Sequence, residues 1–436
     1  MKKILFYWGE LKSTFWFLPV VFILLAIVFA LLFAYFDSQV QFPDKGIWPY
    51  ILVGSASSAR TILATISAAM IGVAGTVFSI TLVALTLASS QFGPRLIRNF
   101  MYDRFNQVVL GTYIATFIYC LMVLNTIKET DHLIYIPSLS ILFAIIAAVA
   151  NIILLVIFIH HISVSIQADK VISDISESMS KNISSLFPDT LDDVKSKRPH
   201  YDEKALKNAC TTKQTILAAK SGYLQYIDND ALVALALDYD FLIHLNCRAG
   251  DYLVKESELG TVYAGKNIED EQIKKISHQL IIGQTRTRQQ DAEHAIHQMV
   301  EIAARALSPG VNDPYTAIAC IDNLTSTMCY LSRVKFPSKH RTDKDKRLRL
   351  IVETFSFNGM LNAAFNQIRQ YAKGSPSVVI RLMDALITID QFTHKPDYKI
   401  SLKKHAEMIM NMAKESFTEP NDIKDVKERY ALIVKD

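Results

Sequence analysis

Glycine is scarce in this chain, with 15 among 436 residues. No Walker A loop, no G-x-S-x-G elbow and no dinucleotide-binding glycine fingerprint occurs. The backbone-lined phosphate cradles and nucleophile turns that those motifs build are therefore not expected. The five cysteines, Cys120, Cys210, Cys247, Cys320 and Cys329, include no CxxC pair. That removes zinc ribbons and thioredoxin-type redox centres, and no cofactor is implied. A net charge of +4 is too small to call for nucleic acid as a partner.

Charge is scarcest in the first 160 residues. Half of all residues are hydrophobic and mean hydropathy is +0.20, but the average hides two unlike halves. A bilayer core of about 30 Å needs roughly 20 apolar residues of helix. Phe15–Phe36, Thr61–Gly93, Val108–Ile127 and Pro137–Ile159 each meet that need without an Asp, Glu, Lys or Arg. The lack of ionisable groups argues against a proton relay or a charge-coupled transporter. The first run follows Lys2 and Lys3, as a signal peptide would. It is longer than a signal h-region and no small-x-small site follows, so an uncleaved anchor is expected. Lys2, Lys3, Lys12, Arg95, Arg98 and Arg104 flank one side, against Lys45, Arg60 and Lys128 on the other. The positive-inside rule then places both termini in the cytoplasm. Trp48, Pro49 and Tyr50 suit the external interface.

The second run stands apart. As a straight helix its 33 residues would reach about 50 Å. Thr65, Ala68, Gly72, Gly75, Thr76, Ser79, Val83, Thr86 and Ser90 recur at three- and four-residue steps, which gathers them on one face. Small residues let helices approach closely and hydroxyls bond between helices, so tight packing is the default reading. A pore lined by hydroxyls and glycines would carry the same stripe. Asn151, the main polar residue of the fourth run, reads as an interhelical hydrogen bond.

Beyond the spans the composition is that of a globular protein. Ile162, Ile166, Ile172, Ile175, Met179 and Ile183 continue the fourth span as an amphipathic helix ending near Phe187-Pro188, with a charged linker over Asp189–Lys204. A small mixed module follows: strand-forming residues over Thr215–Ile227, a short helix over Ala231–Leu237, then Phe241–Cys247 turning at Arg248–Asp251 into a returning strand at Tyr252–Val254. This stretch resembles hairpins of biotinyl and lipoyl carrier domains, without the carrier's modified lysine. The rest reads as helices near 290–307, 314–331, 358–372, 377–392, 401–417 and 421–434, with a loop at Pro337–Lys346. Around that loop, Arg333 to Arg349 holds eight basic and two acidic residues, a solvated loop by default and a contact for anionic lipid if it faces the membrane.

Within the helical part, Asp291, His294, Gln298, Glu301 and Arg305 step along one helix face behind Arg286. Gly310 suits a helix stop, and Asp313-Pro314 a helix start. The turn from Ser308 through Asn312 to Asp313 is expected to be rigid. Free N–H groups after it could hold an anion beside Arg305, although a structural turn is the default. His294, His297 and Glu301 are weak metal candidates, because their spacing is not the zincin pattern.

Val77 to Leu85, Ser89 to Arg95, Arg286-Thr287, Gln290-Asp291 and Ala306 to Pro314 together resemble a bacterial family of predicted membrane proteins with domain of unknown function 2254. The resemblance spans almost the whole chain. It implies an inner-membrane protein and supplies no catalytic residue. The expected architecture is a membrane protein: four transmembrane α-helices (1–165), an amphipathic helix and linker (166–209), a small mixed module with a β-hairpin (210–265) and a helical domain (266–436). The last parts form a mainly helical α+β cytoplasmic domain. Three functions compete: a homo-oligomeric channel-like conduit lined by the second span, a non-conducting sensor or scaffold using the Arg286–Asp313 region, and a membrane-bound enzyme using the His294/His297/Glu301 face.

Overall fold

The computed structural model describes residues 11–12, 14–39, 53, 55–93, 103–130, 133–188 and 201–434. Lys2, Lys3, Lys45, Trp48, Pro49, Tyr50, Arg95, Arg98 and most of the 189–204 linker lie outside them. The chain divides into two compact units, Met1–Lys170 and Val171–Asp436.

The first unit holds α1 (Phe17–Gln39), α2 (Ala56–Phe92), α3 (Arg104–Thr126) and α4 (Ser138–Ser165). All four are long and apolar enough to cross a membrane. A short antiparallel pair, β1 (Lys128–Thr130) and β2 (Leu133–Tyr135), joins α3 to α4. The 37 residues of α2 correspond to about 55 Å of helix, well beyond a bilayer core of about 30 Å. The helix begins earlier than its apolar run suggests because Ser55 caps it, accepting from Ser58 N at 3.1 Å.

Two apolar layers hold the helices. One packs Ala56, Ala59 and Leu63 of α2 against Tyr119, Cys120 and Val123 of α3 and Ile141 and Ala144 of α4. The other packs Met70, Ala74, Val77 and Ala84 against Val109, Tyr113, Phe158 and Ile162. Alanines on α2 let the neighbouring backbones come close. Gly111 of α3 does the same for α1, since a Cβ there would stand 3.1 Å from Pro19 Cα and 2.9 Å from Phe22 Cδ2. Asn151 forms the expected interhelical bond, donating to Thr116 Oγ1 at 2.8 Å, while Tyr113 donates its hydroxyl to Asn151 O at 2.6 Å. The fourth span does not run on unbroken as the sequence suggests. The helix tightens, with Gln167 N–H reaching Val164 O at 3.1 Å, before α5 (Ala168–Leu186) begins.

The second unit begins within α5, which buries Val171, Ile172, Ile175, Met179 and Ile183. After α6 (Glu203–Asn208) come β3 (Thr212–Leu217), β4 (Gly222–Ile227), α7 (Asn229–Asp238), β5 (Phe241–Leu245), β6 (Tyr252–Leu253), β7 (Glu258–Ala264), α8 (Asp270–Ser277) and β8 (Leu280–Gly283). Helices α9 (Ala292–Ala306) and α10 (Pro314–Arg333) precede β9 (His340–Thr342) and β10 (Leu348–Ile351). Helices α11 (Phe357–Tyr371), α12 (Pro376–Gln391), α13 (Pro396–Ser416) and α14 (Pro420–Val434) complete the described chain. One sheet has the order β3-β7-β5-β10-β9 and the other β6-β4-β8.

These sheets correct two expectations. The Arg248–Asp251 turn does not return its strand beside β5. Gly250 N–H donates to Leu224 O at 2.8 Å and Leu224 N–H to Asp251 O at 2.9 Å, which draws β6 onto β4 in the other sheet. The strands also do not stop at residue 265. β8 pairs with β4, and β10 lies parallel to β5. The expected 337–346 loop contains β9 and is tied by ion pairs. Arg349 reaches Asp240 at 2.6 Å and Asp343 at 2.8 Å, and Glu203 meets Lys339 at 2.5 Å and His340 at 2.8 Å.

Candidate functional site

The stripe on α2 faces away from the rest of its own chain. The buried edge of the helix is Ala59, Leu63, Ser67, Met70, Ala74, Val77, Thr81, Ala84 and Ala88. Thr65, Ala68, Gly72, Gly75, Thr76, Ser79, Val83, Thr86 and Ser90 are all exposed on the opposite side. A Cβ at Gly72 or Gly75 would meet nothing within 4 Å. Packing within the chain therefore does not explain the small residues. The hydroxyls turn back on their own helix: Thr65 to Thr61 O at 2.7 Å, Thr76 to Gly72 O at 3.3 Å, Ser79 to Gly75 O at 2.9 Å and Thr86 to Leu82 O at 2.6 Å. Ile71, Phe78, Leu82 and Leu87 flank this stripe and are exposed too, whereas the outer faces of α1 and α4 have no such run of small and hydroxylated residues. They present Leu24, Val28, Leu31 and Tyr35, and Ile146, Ile152, Ile153 and Val156, the large apolar side chains suited to lipid.

The second candidate is the turn before α9. Asp291 caps that helix, accepting from His294 N at 3.1 Å, and takes Arg286 Nε at 2.7 Å. Burial pushes the Asp291 carboxyl up, with Arg286 opposing. Arg286 also reaches His297 Nδ1 at 2.9 Å. Burial, then the adjacent guanidinium, pushes His297 below the usual imidazole range. Beside them Arg248 pairs with Glu293 at 2.7 Å and lies 4.4 Å from the centre of the Phe355 ring. The close approach depends on Gly250 at φ +100°, where a Cβ would stand 2.5 Å from Asp291 Oδ2.

The same turn ties three elements together. Thr287 donates to Gln225 O of β4 at 3.2 Å, and Gln290 brackets Ile227 of β4, accepting its N–H at 2.9 Å and donating to its carbonyl at 3.0 Å. Arg288 donates to Ser178 of α5 at 2.8 Å, and Asn182 of α5 donates to the Arg288 carbonyl. The element that follows the fourth span is thus fastened to the turn that positions Arg286 and Asp291.

Arg305, Ser308, Asn312 and Asp313 do not join this cluster. They lie at the other end of α9, about 21 Å away along the helix. Ser308 Oγ donates to Arg305 O at 2.7 Å, Asn312 adopts φ 50°, and Asp313 N–H closes onto Ala306 O at 2.8 Å. Asp313 caps α10 through Thr316 N at 3.1 Å and Thr316 Oγ1 at 2.6 Å, and those bonds hold its carboxyl below the usual range. The helix N-terminus expected to attract an anion is therefore served by the chain's own carboxylate. Among the described residues no group of three or more His, Cys, Asp and Glu could hold a metal ion. His297 turns to Arg286 rather than to Glu301. Arg248, Gly250, Glu293, Ser178 and Asn182 join the site without a local motif that marks them as functional. The Arg-Ala-Gly-Asp turn is a signal of conformation for the first two.

Comparison with known proteins agrees with this architecture. A family described as "Predicted membrane protein (DUF2254)" matches residues 12–388. The chain belongs to this family. It is similar to uncharacterised proteins of Mycobacterium bovis and Mycobacterium tuberculosis, each 32% identical over 377 residues, which cover 85% of this chain and 71% of each relative. No solved structure matches. This member of the DUF2254 family is a membrane protein with four apolar helices. Of the stretches that carried the resemblance, 306–314 forms the capped turn after α9, and Arg286, Thr287, Gln290 and Asp291 form the hub before it.

Proposed function

We propose that the protein is a homo-oligomeric, channel-like conduit of the bacterial inner membrane. The outward face of α2 would meet neighbouring subunits and the lumen, and the second unit would act as its cytoplasmic gate. The observation that carries this reading is the contrast between outer faces. The outer faces of α1 and α4 carry large apolar side chains, whereas that of α2 interleaves Ile71, Phe78, Leu82, Val83 and Leu87 with a stripe of glycine, alanine, serine and threonine. Four helices with one such face enclose no wide pore, so several subunits around an axis are required. The basic flanks of the spans support a cytoplasmic location for both termini, and the exposed Lys344, Lys346 and Arg347 suit anionic headgroups. The coupling route would run through α5 into the Arg286–Asp291 turn.

The test joins subunit counting in detergent with recordings from planar bilayers. A defined oligomer with unitary conductance, altered by Thr76→Val with Ser79→Ala, is expected. A monomer without conductance would overturn the reading. In that case the Arg286, Asp291 and His297 cluster would favour a non-conducting sensor, whose ligand-induced stabilisation should vanish in Arg286→Gln.

A further inference from the structure

Helices α11 and α13 enclose a polar cluster that the conduit reading does not use. Asn362, Asn366 and Arg369 follow one another on α11 at steps of four and three, which puts them on one stripe. His405 of α13 meets the first of them and feels the charge of Arg369. It is 1% exposed, and its Nε2 lies 2.9 Å from Asn362 Oδ1. Three buried atoms of this cluster have no hydrogen-bond partner: Asn366 Oδ1, Arg369 Nε and His405 Nδ1. Burying such groups without partners costs their full desolvation. Native structures almost always satisfy them with water, an ion or a ligand.

The charges say which. Arg369 forms no ion pair among the described residues. The charged groups that act on His405 are Arg369 and Lys404, both positive, and no carboxylate opposes them. Arg369 is partly exposed, and a water molecule at its buried Nε would complete the hydrogen bonds without adding the negative charge that the cluster lacks. An anion does both. The amide orientation of Asn366 and the proton position on His405 are interchangeable by rotation and tautomerism. With both amides turned, Asn362 donates to Nε2, and Nδ1–H, the Asn366 amide and Arg369 Nε–H all become donors.

We propose that Arg369, Asn366 and His405 form a binding site for a small monovalent anion, chloride or a carboxylate, between α11 and α13. The site is internal to the helical part of the second unit, and its occupancy sets how firmly α13 is held on α11. The bound species supplies the negative charge that the chain itself does not place there.

The test uses the full chain in detergent and follows thermal unfolding by intrinsic fluorescence. Sodium chloride, sodium acetate and the bulky salt sodium isethionate are compared at one ionic strength. Chloride or acetate should raise Tm saturably, by about 5 °C at a large excess over Kd, while isethionate does not. Whichever of the two acts at the lower concentration identifies the source. Arg369→Gln should abolish the shift, and Arg369→Lys should retain it with weaker affinity. If Arg369→Gln does not fold, Asn366→Leu keeps the charge and gives the same readout, a right-shifted or lost response. Indistinguishable salts, or a wild-type response in Arg369→Gln or Asn366→Leu, would overturn the site.

Discussion

Asp37, near the end of α1, and Ser140, in the first turn of α4, are joined twice. The Asp37 carboxylate accepts from Ser140 N–H at 2.9 Å and from Ser140 Oγ at 2.6 Å, and also takes Leu139 N–H at 2.8 Å. Pro137, at the N-cap position of α4, makes no side-chain cap. The first span therefore caps the fourth across 103 residues of chain. Removing the carboxylate should strand those donors. Asp37→Ala is expected to cost about 1–2 kcal/mol, and Asp37→Asn should recover part of it. Thermal unfolding in detergent reads both.

Gly250 is where the β6 turn comes closest to the Arg286–Asp291 pair. A Cβ there meets Asp291 Oδ2 at 2.5 Å, in a backbone conformation with φ +100°. Gly250→Ala should push Asp291 from Arg286 and lower stability by about 2 kcal/mol or more. Gly265→Ala, with nothing within 4 Å, is the matched control and should change little. Equal Tm losses in the two variants would remove the special role of the turn.

The pH dependence follows from His405. Burial, then the positive charges of Arg369 and Lys404, lowers it from 6.5 to about 4. The folded state thus excludes a proton that the unfolded chain accepts below pH 6.5. Its contribution is intact above that pH and is lost as pH falls from 6.5 towards 4, by about 3 kcal/mol at the limit. His405→Gln should flatten this limb of the stability curve. A wild-type pH slope in the variant would assign the acid sensitivity to other groups.

The outward face of α2 makes a contrasting pair of predictions. A Cβ at Gly72 or Gly75 meets nothing within 4 Å, so Gly72→Leu and Gly75→Leu should leave the monomer folded while the proposed oligomer dissociates. Ala59→Leu and Ala74→Leu fall on the buried edge and should destabilise the monomer itself by about 1–3 kcal/mol through overpacking. Size-exclusion with light scattering separates the two outcomes.

Much of this fold is legible in the sequence wherever the signal is local. The four spans show as apolar length, and the helices from α9 onward show as period together with capping residues such as Asp313-Pro314. The sequence pattern places the start of α13 at Ser401, whereas the helix begins at Pro396, because its first turn, Pro-Asp-Tyr-Lys, carries almost no apolar pattern. What the sequence hides is pairing at a distance. Ile243 meets Leu350 across the β5–β10 ladder, and no local pattern announces a parallel neighbour a hundred residues on. The α2 stripe was visible as a period, but only the packed structure says which way it points. Likewise Arg286 and Asp291 stood out together, whereas Arg248 and Glu293 meet only when the β6 turn crosses to β4.

The self-bonded hydroxyls of α2 have one more consequence. Because Thr65, Thr76, Ser79 and Thr86 each satisfy their proton on a carbonyl of the preceding turn, none depends on a neighbour for it. Those protons are satisfied alike whether lipid tails, another helix or water lies against them. In the proposed oligomer, subunits bearing these hydroxyls would meet, rotate and part within the bilayer without stranding their protons, so assembly would be reversible where a conventional polar seam would lock.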